Sequence, residues 1–456
     1  MNDQRLRREL SLFTMIALGA GAVIGGWLAE APYWFSLTGA GAAWIFPCLG
    51  VLLIPVGLAF AELTALLPFA SSIDVWTCNA LGHKVGWASQ WMMFLVQVVE
   101  PPMMAFIFLT AINFFVPIPP HLMKVFAIAI VFLWYILSNF RIGFTGTLAN
   151  IFFYSMVIMS LFVAFMFFRS DSWSFANISG SGGWFPLGSR GIFIAMAVFS
   201  LKFIGFELTP TLAEEMNFPI KNIWKVVMGA LFIPAILYCI VVLAIGGMAP
   251  WHSIADMIMP EPEIIRNVGL PAFVSFIAII SGLLHALTTL MGFWTSSARV
   301  IYGAAQLNQL PKQLMKLNKH GQPVICNLVV LFFGIFFCLF TGDNWVQYIY
   351  AVSCIAAGLV YGIVCVDAII LRNRYPHWER PFVSPGGNLL FGIGILTSAW
   401  IVVGSCLEMP LGGYISLAIY LAIGALIFAV MNSLRKKNPE EYALITLTPD
   451  DVKKMA

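Results

Sequence analysis

Windows of about twenty consecutive apolar residues recur along nearly the whole chain, and no other feature constrains the fold so strongly. A bilayer core about 30 Å thick is crossed by a helix of roughly 20 residues, and backbone groups inside it must find partners within helices or a closed barrel. The windows predict twelve spans, at 11–37, 41–68, 87–116, 122–140, 146–168, 190–212, 223–248, 271–301, 324–341, 345–371, 387–407 and 411–433. They are called spans 1 to 12 below. Composition agrees: of 456 residues 60% are hydrophobic and 10% charged, against roughly 45–50% and 25% in soluble domains. This excludes a soluble enzyme and describes an all-α integral membrane protein folded as one unit. The net charge of +3 is too small to suggest nucleic acid. The eight cysteines fall mostly inside apolar runs, without CxxC or Cys/His spacing, so they read as reduced packing residues and not as a zinc site or disulfide framework.

Cytoplasmic connections retain positive charge. With the N-terminus inside, nineteen of the 24 Lys and Arg, among them Arg5, Arg7, Arg141, Arg299, Arg372 and Arg380, lie in the tails or the even-numbered connections. Four (Lys124, Arg169, Arg190, Arg266) lie outside or at the outer edge, and Lys202 alone lies within the membrane. Both termini are therefore expected in the cytoplasm, in a plasma (inner) membrane. The basic opening MNDQRLRREL is followed by an apolar stretch too long for a signal peptide, and without a small-residue cleavage site. It leads into a first span. Residues 1–10 and 434–456 are expected as cytoplasmic tails, the second of them mobile.

Two spans look interrupted. Span 1 carries LGAGAVIGGW, with Gly19, Gly21, Gly25 and Gly26 near mid-membrane; each glycine costs a helix about 1 kcal/mol relative to alanine. Close helix packing through small residues is the alternative reading of such a run. Span 6 reads AVFSLKFIGFELTPTLAEEM, with Gly205 at mid-span, Glu207 beside it and Pro210 beyond. Paired interruptions in two halves of a membrane protein point to a transporter with its site between them.

These residues resemble the amino acid–polyamine–organocation permeases. GAVIGG (21–26) is similar to that family's helix 1 motif, GLAFAELTALLP (57–68) to the inner end of helix 2, and FIGFE with TLAEEMNFPIKNI (203–223) to the broken helix 6 and the loop after it. GMAPW (247–251), SARVIYGAAQLNQLP (297–311), LNKHGQPV (317–324) and RPFVSPGG (380–387) match in order. The resemblance covers about residues 10–433. It implies a LeuT-type fold: a 5+5 inverted repeat (about 11–168 and 190–371) with broken helices 1 and 6, and helices 11 and 12 (387–433) added outside. Substrate would sit between the breaks, with Gly21, Ala22, Val23, Gly25, Gly26, Trp27, Glu100, Phe203, Ile204 and Gly205 as its contacts. Broken helix ends suit a small zwitterion or cation, since amide hydrogens face anions and free carbonyls face ammonium groups.

The chain departs from that pattern at three places. Amino-acid-binding relatives commonly show Gly-Ser-Gly at the helix 1 break; here Gly25, Gly26 and Trp27 follow one another. The indole is either a gate or core aromatic, or an aromatic wall for a cation. Lys202 stands where the family places a small or aromatic residue. An ammonium there needs a carboxylate, and Glu30, Glu100 and Glu207 are candidates; a permanent pair would leave an acidic cavity suited to an amine, whereas a free Lys202 could hold a substrate carboxylate. No lysine occurs between 142 and 201, so the helix 5 lysine of some proton-coupled relatives is missing. Proton coupling through other groups, sodium coupling and exchange stay open.

Ionisable groups at membrane depth cost about 2.5–3.5 kcal/mol each on insertion scales and mark pathways or relays. Glu30, Lys202, Glu207 and His285 are assigned to coupling or gating, although His285 also fits a hydrogen-bonded packing role. Glu62 and Asp367 lie toward the cytoplasmic ends of their spans and read as snorkelling or ion-paired groups. The sequence thus predicts a secondary active transporter for an amino acid or small, cationic organic amine. The alternative is a ligand sensor or channel on the same fold, and no GxSxG, HExxH or Walker pattern suggests an enzyme. No cofactor or metal is implied. Oligomeric state is not readable.

Overall fold

The computed structural model describes residues 8–140, 142–182, 184–340 and 345–455. Most of the expected N-terminal tail, with Arg5 and Arg7, and also Arg141 lie outside the described residues. Among those described, ten helices are long and apolar enough to cross a membrane, a bent pair makes eleven, and Val324–Phe340 is a shorter apolar helix of 17 residues. Each corresponds to one apolar window. The helices overrun the windows where polar ends project beyond the apolar run: span 3 starts at His83, span 8 reaches Gln306 and span 12 reaches Lys437.

Span 1 is the bent pair. Helix Leu12–Ile24 ends at Gly25, and helix Trp27–Thr38 leaves at 53° to it. Gly25 has φ of +55°, which L side chains rarely adopt, so the glycine run produces a true interruption and not only close packing. Span 6 comes apart at the matching depth. Its α-helix Gly188–Val198 tightens into a 3₁₀ turn over Phe199–Phe203, Ile204 is extended, and helix returns only at Leu208–Thr211. Gly205, at φ +137°, makes that path possible.

Spans 1 and 6 lie side by side and run antiparallel, tied at both ends by backbone. Leu10 exchanges bonds with the segment after span 6 (Leu10 N to Glu215 O, 3.0 Å; Asn217 N to Leu10 O, 3.0 Å), and Phe185 N donates to Thr38 O at 3.1 Å. The first half of span 1 also packs on spans 5, 7 and 8. Around this centre, spans 4 and 12 are largely exposed along their flanks, with Phe132, Leu133, Leu426 and Val430 open, as a lipid-facing helix requires.

The C-terminal segment differs from the expectation of a mobile extension. After span 12 it folds back: Asn308 Nδ2 donates to Ala443 O (2.6 Å), Ile445 N to Leu307 O (3.2 Å) and Asn79 Nδ2 to Leu447 O (2.9 Å), and His83 Nε2 meets Thr446 Oγ1 at 2.9 Å. Polar side chains from distant helix ends supply partners to the extended backbone, and Leu447 and Val452 pack on the core. Helix Pro449–Met455 closes the chain beside a cavity of about 610 Å³ lined in part by Leu66, Ile220, Trp378 and Val452.

Candidate functional site

The two interruptions touch. A Cβ at Gly205 would stand 2.8 Å from Val23 N and 3.2 Å from the carbonyl carbon of Ala22, so glycine is needed there for contact as well as for conformation. Breaking a helix frees backbone groups that must be satisfied inside the membrane, and five of those at the breaks have side-chain partners. Tyr238 of span 7 places its hydroxyl within donating distance of the carbonyls of Val23 (2.7 Å) and Ile24 (2.6 Å). Thr289 of span 8 does the same for Gly21 (3.1 Å) and Ala22 (3.2 Å). On the other strand of the site, Gly205 N donates to both oxygens of Glu207 (3.0 and 2.8 Å), and Tyr361 OH donates to Glu207 Oε2 at 3.1 Å.

Lys202 finds one of its three candidate partners. Its Nζ lies 2.7 Å from Glu30 Oε2, with both side chains buried. That oxygen also accepts from Tyr350 OH (2.7 Å), which in turn accepts from Trp34 Nε1 (2.8 Å). The ammonium lies 5.8 Å from the ring centre of Tyr238 and 5.9 Å from that of Trp34, a distance at which aromatic faces attract cations. The pair therefore bridges the second half of span 1 to the end of the intact part of span 6. Glu30 Oε1 is buried with no hydrogen-bond partner among the described residues.

Glu100 stands apart from this pair. It accepts from Ser353 Oγ of span 10 at 3.0 Å, while lying close enough to Lys202, Glu30 and Glu207 to feel their charge. Phe203 lines the site less directly, its ring 6.5 Å from that of Tyr238. Trp27 turns away from Lys202. Its ring lies 4.2 Å from His285 and 6.0 Å from Tyr238, and its Nε1 donates to Glu261 Oε2 at 3.4 Å. His285 Nε2 meets Ser160 Oγ at 3.3 Å and Ser281 Oγ at 3.5 Å, and its Nδ1 is buried without a partner among the described residues. Trp27, Ile204 and Lys202 are each at most 2% exposed, so the site is closed on both sides in this conformation.

On the side carrying most of the basic residues, ion pairs hold the closure. Arg299 Nε and Nη2 donate to the two oxygens of Glu215 at 2.8 and 3.2 Å. Glu62 is gripped by Arg372 through both oxygens, approached by Arg380 at 3.5 Å, and accepts from Ser384 N at 2.7 Å. Glu62 is thus an ion-paired group, as its position suggested. Asp367 meets Thr77 Oγ1 at 2.6 Å, remote from the breaks.

Several residues at the breaks carry no mark in the sequence: Tyr238, Thr289, Tyr350, Tyr361 and Ser353. Their one signal is a hydroxyl in the interior of an apolar run, where it needs a partner. Glu261 gave even less, since it lies in the connection between spans 7 and 8 and meets Trp27 across 234 positions of chain. No group of three or more His, Cys, Asp or Glu able to hold a metal occurs among the described residues.

Two interrupted, antiparallel spans whose polar centres face each other inside an apolar bundle define a membrane transporter. The amino acid permease family model matches residues 10–430, and the chain belongs to that family; it is a multi-pass amino acid permease and not an enzyme. Among curated relatives, the gamma-aminobutyric acid permease of Bacillus subtilis (strain 168) is 25% identical over 81% of each chain. The branched-chain amino acid permease BcaP of the same organism is 24% identical over 95% of each. The D-serine/D-alanine/glycine transporter of Escherichia coli (strain K12) is 25% identical over 89% of this chain and 90% of its own.

Proposed function

We propose that the chain is a secondary active transporter that moves an amino acid or small cationic organic amine by alternating access, with the substrate held where spans 1 and 6 come apart. The observation that carries this reading is the contact of Gly205 with Val23 and Ala22, which joins two stretches of unwound backbone inside the bundle. The antiparallel course of spans 1 and 6 supports a 5+5 inverted repeat, and Val324–Phe340 then counts as the ninth of twelve spans. The basic side, with both termini, faces the cytoplasm, and the membrane is the plasma (inner) membrane.

Charge supports the choice of a cation. Lys202 offsets Glu30 alone, leaving Glu100 and Glu207 near the breaks without a cation of their own. Unpaired carboxylates at this depth are costly, and a substrate ammonium or a proton offsets that cost. The freed carbonyls of residues 21 to 24, held by Tyr238 and Thr289, are the acceptors for which an ammonium would compete. Gly205 N, already bound to Glu207, is not free for a substrate carboxylate, and Trp27 replaces the small residue at the other break. Glu207 and Lys202 then serve coupling, with Glu30 as the partner that holds Lys202 in place.

Counterflow in proteoliposomes against a panel of amines and amino acids tests this reading. Exchange of amine-bearing substrates, suppressed by Glu100→Gln, is expected. Preference for an anionic substrate would remove the cationic reading, and ion currents without counterflow would remove the transporter mechanism.

A further inference from the structure

Between spans 7 and 8 a short helix, Pro260–Asn267, packs on the second half of span 1 and on span 8. Its first turn carries Glu261, whose side chain is buried, 5% exposed. A carboxylate has about four acceptor sites, yet the partner found for this one is the Trp27 indole, through one long bond of 3.4 Å. No cation among the described residues pairs with it. Arg266, on the same helix, turns to the face of Phe114 at 5.9 Å, and Glu263 is occupied by Ile258 N and Met259 N, both at 2.9 Å.

The other neighbours of the indole are aromatic or unsatisfied. His285 lies 4.2 Å from it, ring to ring, with Nδ1 buried and unpartnered, and Tyr238 lies at 6.0 Å. A carboxylate beside an indole ring is an arrangement that receives an alkylammonium group, through charge and through the aromatic face. Trp27 is also the first residue of helix after the break, two positions from Gly25, and is 1% exposed.

The geometry points to a second ammonium subsite, formed by Glu261, Trp27 and His285 on the side opposite the basic residues, which takes the substrate amine before it reaches the breaks. An arriving ammonium replaces the indole N–H as the donor to Glu261 and so releases Trp27 from its latch. Selection for a primary amine is made here first, and the Lys202–Glu30 pair meets the substrate only afterwards. This subsite rests on the transport reading above and extends it to substrate entry.

The test uses n-butylammonium as probe and n-butanol as its uncharged counterpart, with the full-length protein. In thermal unfolding, n-butylammonium is expected to stabilise the wild type and n-butanol not to. In Glu261→Gln the probe concentration for half of that shift should rise about tenfold, the loss of one good ionic contact. Trp27→Phe should weaken it about threefold. In proteoliposomes the KM for amine uptake from this side should rise in Glu261→Gln by more than kcat falls, with partial recovery in Glu261→Asp. Equal probe affinity in wild type and Glu261→Gln, or a loss confined to kcat, would overturn the subsite. Absence of counterflow by the wild type would instead overturn the transport reading, while the unfolding assay still reads the subsite.

Discussion

The two ends of the closed site are built differently. On the basic side, closure is cross-braced by charge: Arg299 holds Glu215 through two bonds and also donates to Gln322 at 3.0 Å, and Glu62 is clasped by Arg372 and Arg380. The folded-back C-terminal segment adds bonds to Asn79, His83 and Asn308. On the opposite side, closure is the Trp27 indole, one long bond to Glu261 and a small apolar cluster of Leu28, Ala111, Met259 and Ile279. Buried, multiply bonded ion pairs are costly to break on one partner's loss, whereas a neutral donor on a single long bond is not. The basic side thus carries the more heavily bonded closure and the Trp27 side the lighter one.

The largest expected effect comes from breaking the brace. Arg299→Met leaves Glu215 buried and uncompensated and should lower stability by about 3–5 kcal/mol, measured by thermal or denaturant unfolding in detergent. A cost no larger than that of a change at Trp27 would erase the contrast between the two ends. Glu62→Gln should cost less, about 1–2 kcal/mol, because Arg372 and Arg380 are partly exposed and keep access to water. The same unfolding assay checks it.

Trp27→Phe sharpens the other half of the comparison. Removing one long hydrogen bond should change stability by about 1 kcal/mol, less than Arg299→Met does, while thiol reagents should react faster with a cysteine placed at Ile204. Unchanged reactivity would mean that the indole is packing and not a gate.

The smallest effect is in pH dependence. Burial pushes the Glu261 carboxyl from 4.5 up to about 7, against the lowering effect of the Trp27 bond. The folded chain therefore keeps a proton that the unfolded chain has released between those values. The resulting stabilisation is fully present below about pH 4.5 and lost as the pH rises to about 7. Glu261→Gln should flatten that segment of the unfolding-against-pH curve. Persistence of the slope in Glu261→Gln would remove Glu261 as its source.

Much of the centre could be read from the chain alone because its cause is local. Gly25 and Gly205 announce backbone that a helix does not tolerate cheaply, and Lys202 at membrane depth demands a carboxylate. Which carboxylate was not legible: Glu30, Glu100 and Glu207 all satisfy the demand, and choosing among them depends on the angle at which the halves of span 1 meet. Tyr238 and Thr289 were hidden for a similar reason, since what makes them matter is the freed carbonyls of a distant helix. Glu261 looked like one more polar residue in a connection. The C-terminal segment was misjudged because its polarity reads as solvation, while in the fold its backbone bonds to Asn79 and Asn308.

The central claim is that substrate occupies the junction of the two interruptions, and protection at Ile204 tests it most directly. Ile204 is 2% exposed in the closed conformation and lies between Lys202 and Gly205. In a background with the eight native cysteines replaced, Ile204→Cys is labelled with a small thiol reagent with and without a transported amine. The account predicts that saturating substrate slows labelling at this position. A labelling rate indifferent to substrate, at concentrations that saturate transport by the same variant, would contradict it.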